Sequence, residues 1–187
     1  MTMFERFARN ARIAVVLAQE EAHELGAEEI RPEHLLVGVL QVAGRDLARV
    51  LDAHGLTVTA VRADLESRES PDDLFEEDAE SLRRIGIDLY AIRDAVRRNL
   101  GPDAWDTARP PARRRRRTHI PFTRAAKKAL QLALREAVAH RDSTIDCEHV
   151  LLGILRGGDS ATTELITAHV DPARLRADVV ALLDRAA

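Results

Sequence analysis

Apolar residues recur along the first third of the chain at helical intervals. Phe7, Ala11, Ala14, Val15, Ala18, Ala22 and Leu25 stand three or four apart, so a helix gathers them into one stripe facing a core. Gly26 follows at once, where a helix end takes the left-handed conformation at least cost. The next helix opens at Pro32, a residue suited to the first helical position because the N–H it lacks has no partner there. Leu35, Leu36, Val39 and Leu40 form its buried side, and Gly38 permits close helix contact. Asp46 to His54 and Val58 to Ser67 read as a third and a fourth helix.

The pattern then returns. RPEHLLVGVL at 31–40 reappears as DCEHVLLGIL at 146–155. At an offset of 115, Phe7 falls on Phe122, Ala11 on Ala126, Ala14 on Ala129, Ala18 on Ala133, Glu21 on Glu136, Ile30 on Ile145, Gly38 on Gly153 and His54 on His169. One deletion later, VRADL at 61–65 matches LRADV at 175–179. This is a duplication of about sixty residues, and a repeat governs how everything else is read. In the second copy Asp146 is placed as the N-cap of the helix that Pro32 opens in the first.

The copies occupy residues 1–67 and 119–187, with an insertion at 68–118. Residues 69–80 carry seven acidic side chains and no basic one, the composition of a solvated loop. LRRIGIDLYAIRDAV at 82–96 echoes LDAHGLTVTAVRADL at 51–65, with Leu82 on Leu51, Gly86 on Gly55, Ile92 on Val61 and Arg93 on Arg62. It reads as a partial third copy of the repeat's last helix pair. GPDAWDTARPPARRRRRTH at 101–119 holds three prolines and five consecutive arginines, which gives an extended linker.

Composition agrees with an all-α protein. Aromatics are 3% and glycines nine, so the core is built from Ala, Leu, Val and Ile. Neither copy carries enough apolar surface to stand alone, and the two are expected to pack side by side as one pseudo-twofold bundle of two four-helix repeats. The single cysteine, Cys147, excludes an internal disulfide and a multi-cysteine zinc site. A net charge of −3 gives no field that recruits nucleic acid. The start, MTMFERFARNAR, is charged where a signal peptide needs an apolar run, and no stretch reaches the ~20 apolar residues of a membrane span. These features predict a cytoplasmic protein.

MFERFARNARIAVVLAQEEAHELG with EEIRPEHLLVGVL, and HIPFTRAAKKALQLALREA with DCEHVLLGIL, resemble the double Clp N-terminal repeat. That is the substrate-receiving domain at the head of ClpC-type and related AAA+ unfoldases, here most similar to those of actinobacteria. Residues 68–118 have no counterpart in the usual domain. No G-x-x-x-x-G-K-[ST] phosphate loop occurs in the chain, so the ATPase modules that follow this domain in the unfoldases are absent from it.

The resemblance implies two phosphoarginine pockets, one per repeat. A carboxylate pairs with the guanidinium while hydroxyls and helix-start N–H groups hold the phosphate. Glu33 and Glu148 match the guanidinium-facing acids, and Thr123 matches the threonine beside the phosphate in the second pocket. The first copy has Ala8 in place of that threonine. Pro32 and Cys147 stand where the family has threonine before each glutamate, and Arg124 replaces the family's proline. The second pocket is therefore expected to be better equipped than the first. Phe4 and Phe122 match the phenylalanines that contact cyclic peptide antibiotics such as cyclomarin. His34 and His149 read as structural, each tucked against a neighbouring helix and bonding a carbonyl. Cys147, at a helix start, is expected to have a lowered pKa.

The reading that follows is a non-enzymatic module that binds protein segments, phosphoarginine-bearing clients among them. It would modulate or compete with substrate recognition by a ClpC-type unfoldase in proteolysis, as an adaptor or a decoy. No catalytic residue, metal site or cofactor is expected. The alternative is a nucleic-acid-associated regulator acting through Arg113 to Arg117, whose five adjacent cations would neutralise phosphates.

Overall fold

The computed structural model describes residues 3–68, 79–80, 82–84, 86–101 and 120–186, without the side chains of 3, 4 and 186. A 3₁₀ turn, Met3–Arg6, precedes nine helices among these residues: α1 (Arg9–Glu24), α2 (Pro32–Val42), α3 (Arg45–Ala53), α4 (Val58–Arg68), α5 (Leu89–Leu100), α6 (Arg124–Ala139), α7 (Cys147–Gly157), α8 (Ser160–Thr167) and α9 (Pro172–Ala186). The chain is all-α, as its periodicity predicts. It divides into two compact units: residues 1–64 with 118–187, and residues 65–117. The first unit holds both repeats. Of the acidic run at 69–80 only Ala79 and Glu80 are described, and they are helical with Ala79 buried, not loop; residues 69–78 and Arg113 to Arg117 lie outside the described residues.

Within each repeat the first two helices form an antiparallel hairpin, α1 on α2 and α6 on α7. Small residues set the closeness. A Cβ on Gly38 would strike the carbonyl oxygen of Ala14, and one on Gly153 would strike that of Ala129 and come within 2.7 Å of the Ala133 nitrogen. Backbone thus lies on backbone, which is why a core so poor in aromatics still excludes water. A mid-helix glycine costs about 1 kcal/mol of helix propensity; the contact it allows offsets this.

The hairpin turns are built alike from different residues. Gly26 has φ +73°, and the Ala27 N–H donates to Ala22 O at 2.8 Å, closing α1 with a Schellman turn. In the second copy the left-handed position falls to Arg141, at φ +64°, and the Asp142 N–H donates to Ala137 O at 2.9 Å.

The repeats are joined by exchange. Two short parallel bridges pair Phe7 with Ile145 and Ile30 with Phe122. Ala8 N–H donates to Ile145 O (3.0 Å) and Ile145 N–H to Arg6 O (2.8 Å); Thr123 N–H donates to Ile30 O (3.0 Å) and Ile30 N–H to Pro121 O (2.8 Å). The second set is the first with the repeats interchanged. It also corrects the stripe read from the sequence: Phe7 lies before α1, in extended backbone, because its neighbours' peptide groups are committed to the other repeat. The ring is nonetheless buried, while Phe122 is half-buried.

Beyond the bridges, α2 packs on α7 and α3 on α9. His54 Nε2 lies 2.7 Å from Asp178 Oδ2, and His169 Nε2 lies 2.7 Å from Asp64 Oδ2, again one contact made twice. Inside each copy a buried glutamate is clamped by arginine. Glu21 accepts from Arg62 Nε at 2.9 and 3.0 Å, and Glu136 accepts from Arg156 at 3.1 Å and Arg176 at 3.0 Å.

In the second unit, residues 82–92 repeat the hydrogen bonds of 51–61. Ile87 N–H donates to Leu82 O (2.9 Å) as Leu56 N–H does to Leu51 O (3.0 Å), with Gly86 at φ +84° and Gly55 at +70°. Asp88 caps α5 through the Ala91 N–H (3.1 Å) as Thr57 caps α4 through the Ala60 N–H (3.2 Å). Among the described residues no helix is long and apolar enough to cross a membrane.

Candidate functional site

The Glu-His phrase opens α2 and α7, and its histidine proves to be a cap. His34 Nδ1 accepts the Arg31 N–H at 3.0 Å, and His149 Nδ1 accepts the Asp146 N–H at 3.0 Å. Each ring does what a glutamate or glutamine does at the third position of a capping box. Nδ1 must be unprotonated to accept an N–H, so the expected bond to a carbonyl could come only from Nε2, which carries the proton. Burial, and then the Arg31 charge, lower the His34 pKa to about 4, which keeps the ring in the neutral form the cap requires. His149 Nε2 lies 2.9 Å from Asp142 Oδ2.

The two glutamates have unlike surroundings. Glu33 is 4% exposed. Its Oε2 accepts from Thr162 Oγ1 at 3.0 Å, and Arg31 stands 3.7 Å from its Oε1. Glu148 is half-buried, and no described side chain hydrogen-bonds or ion-pairs with it. Burial pushes its carboxyl above the usual carboxylate range; its own backbone N–H pulls it partly back, and the Asp146 and Asp142 charges push it up further.

Thr123 and Glu148 do not share a site. Antiparallel pairing puts them at opposite ends of α6, some 24 Å of helix apart. The bridges instead bring Thr123 beside the segment that runs into Glu33, and Ala8 beside the segment that runs into Glu148. Each candidate site would therefore draw on both repeats. One has the hydroxyl, with Thr123 Oγ1 already capping α6 through the Ala126 N–H (3.1 Å), and a glutamate engaged by Thr162. The other has the open glutamate and, in Ala8, no hydroxyl. Phe122 lies in the first site's bridge; the Phe4 side chain falls outside the described residues.

Cys147 departs from expectation. It is buried, and burial, with the charges of Glu148 and Asp146, raises its thiol to about 12. Loss of water outweighs the helix N-terminus that was expected to lower it. Thr162 was missed in the sequence, yet a signal was present: at the offset of 115 it falls on Leu47, a hydroxyl at an apolar position. Among the described residues no group of three or more His, Cys, Asp or Glu side chains is placed to hold a metal ion.

The exchanged repeats and their paired phrases match the Clp repeat (R) N-terminal domain, whose sequence profile fits residues 6–71, 74–169 and 122–186. The chain belongs to this family. The Clp repeats here are 28% identical, over 182 residues, to the chloroplastic ClpA homolog of the Clp protease ATP-binding subunit from Brassica napus, covering 97% of this chain and 16% of that one. The same identity holds to chloroplastic ClpC1 of Arabidopsis thaliana, over 97% of this chain and 15% of that one. This Clp-repeat chain thus spans about a sixth of the length of the relatives it matches. In structure it is similar to the N-terminal domain of ClpD from Arabidopsis thaliana, with a TM-score of 0.62, 20% identity and coverage of 96% of this chain and 99% of that one. The Hsp104 N-terminal domain from Candida albicans matches with a TM-score of 0.60, 13% identity and coverage of 94% and 90%.

Proposed function

We propose that this Clp-repeat protein is a non-enzymatic receptor for protein segments, working beside a Clp unfoldase and modulating or competing with its choice of substrate. Membership of the family supports the protein-binding role. The observation that carries the specific reading is Glu148: a half-buried carboxylate in the first turn of α7, with no lysine or arginine paired to it among the described residues. A guanidinium presented by a bound segment would supply that partner and two parallel hydrogen bonds. Arginine-phosphorylated segments are the ligand class that the glutamate and the helix-start N–H groups together suit. Ala8, Asp142 and Asp146 around the same site weaken its hold on the phosphate, so phosphoarginine is expected to bind weakly. Phe122, half-buried beside Thr123 in the other site, offers an apolar contact to a cyclic peptide.

Titration calorimetry with phosphoarginine tests this. Glu148→Ala is expected to remove more of the binding than Glu33→Ala, because Glu33 is engaged by Thr162. Equal losses, or no binding to the unaltered protein, would defeat the phosphoarginine reading. Capture of arginine-phosphorylated clients from lysate by the unaltered protein and not by Glu148→Ala supports the receptor role.

A further inference from the structure

Glu33 and Glu148 hold the same place in the two repeats, yet only Glu148 is open. Each stands in the first turn of an eleven-residue helix, and each is followed by a histidine that caps that helix. The backbone does not distinguish them, so the difference lies in the side chains around each.

Two of those side chains differ between the copies. At the N-cap, Arg31 stands in the first repeat where Asp146 stands in the second. Thr162, on α8, reaches Glu33 from the other repeat; its counterpart on α3 is Leu47, which is buried and has no group to donate. Thr162 Oγ1 donates to Glu33 Oε2 at 3.0 Å, and the Arg31 guanidinium stands 3.7 Å from Oε1. The Arg31 side chain is half in solvent, whereas that of Glu33 is 5% exposed.

A bidentate bond to an incoming guanidinium needs both oxygens of a carboxylate. At Glu33 one oxygen is bonded to a hydroxyl, and the other has a guanidinium beside it. That guanidinium belongs to the chain, so it competes at the high effective concentration of a tethered group. Its charge also repels a second cation.

We infer that Arg31 is a built-in occupant of the Glu33 site and, with Thr162, restricts the duplicated fold to one open guanidinium site per chain. The inference rests on Glu148 being such a site, as proposed above. Arg31 and Thr162 are then the residues that decide which half of the chain receives a segment, and Glu33 is left as a cross-link from α2 to α8.

Calorimetry of the full chain with free phosphoarginine tests this. One site is expected in the unaltered protein, and Glu148→Ala removes it. Adding Arg31→Ser to Glu148→Ala frees Oε1 while keeping a capping residue at the start of α2; the association constant should rise on the order of tenfold above Glu148→Ala alone. Adding Thr162→Val frees Oε2 as well, and the gain should reach on the order of 100-fold. Glu33→Gln in that chain should abolish the regained binding. With Glu148 intact, Arg31→Ser should leave affinity unchanged and raise the stoichiometry from one towards two. Circular dichroism checks that each variant is folded, and the Arg31→Ser arm stands without the buried Thr162 substitution. A folded Glu148→Ala/Arg31→Ser chain that binds no better than Glu148→Ala overturns the inference. So does weaker binding by Arg31→Ser alone, which would show Arg31 holding the ligand's phosphate. If the unaltered chain binds nothing, the Glu148 reading fails by itself; a Glu33-dependent gain on Arg31→Ser still supports the built-in occupant, and no gain overturns it too.

Discussion

Thr162→Val isolates the contact that commits Glu33. The Thr162 hydroxyl lies 3.0 Å from Glu33 Oε2 and 2.7 Å from Asp159 Oδ1, and it has one proton for two acceptors. Asp159 also accepts the Thr162 N–H at 3.0 Å, so valine costs it little. Among the described side chains Glu33 then keeps Arg31, at 3.7 Å, beyond hydrogen-bonding reach. A hydrogen bond to a charged group contributes about 1.5–3 kcal/mol; because this one is shared, a loss of about 2 kcal/mol is expected. In a chain of this size each kcal/mol moves Tm by roughly 2–4 °C, so the melt followed by far-UV circular dichroism should fall by roughly 4–8 °C. Glu33→Gln and the double variant complete the cycle. The coupling between the two sites should exceed about 1 kcal/mol; a value below about 0.3 kcal/mol, within ordinary additive scatter, would refute the reasoning. Arg31→Ala, removing a half-exposed partner, should change stability by less than about 1 kcal/mol.

His34 makes stability depend on pH in a definite direction. Its folded pKa, about 4, lies below the ordinary histidine value of 6.5, so the unfolded chain binds the proton first and stability falls as pH drops from about 6.5 through about 4. The loss amounts to roughly 3 kcal/mol, and urea titrations across that window should show it; His34→Gln, which keeps an acceptor for the Arg31 N–H, should flatten the slope, and an unchanged slope would exclude His34 as its source. Arg141→Gly should stabilise the protein by about 0.5–1 kcal/mol, since a left-handed position favours glycine. A melting temperature equal to or below that of the unaltered protein would show that Arg141 compensates its strain elsewhere.

The helices were legible because alanine and leucine spacing determines them locally. The observed α3 and α4 lie within a residue of the segments read from Asp46 to His54 and from Val58 to Ser67. The duplication was legible for the same reason, since Gly38 and Gly153 answer to one packing demand in two places. What stayed hidden was everything that crosses between copies. Alignment joins Thr123 to Glu148 because both belong to the second repeat, whereas the bridge from Thr123 N–H to Ile30 O carries the threonine to the first repeat's glutamate. The Cys147 pKa could not be read either, because a helix start is visible in sequence and the packing that dries it is not.

The exchanged bridges also say something about origin. Each repeat's entry segment is completed only by the other, which is the arrangement two separate polypeptides of one repeat would adopt as a dimer. Fusing them into one chain turns a concentration-dependent encounter into ring closure, whose entropic cost rises only about 0.6 kcal/mol for each doubling of the tether. A tether grown to residues 68–118 was therefore cheap to acquire, and left room for new helices between the halves.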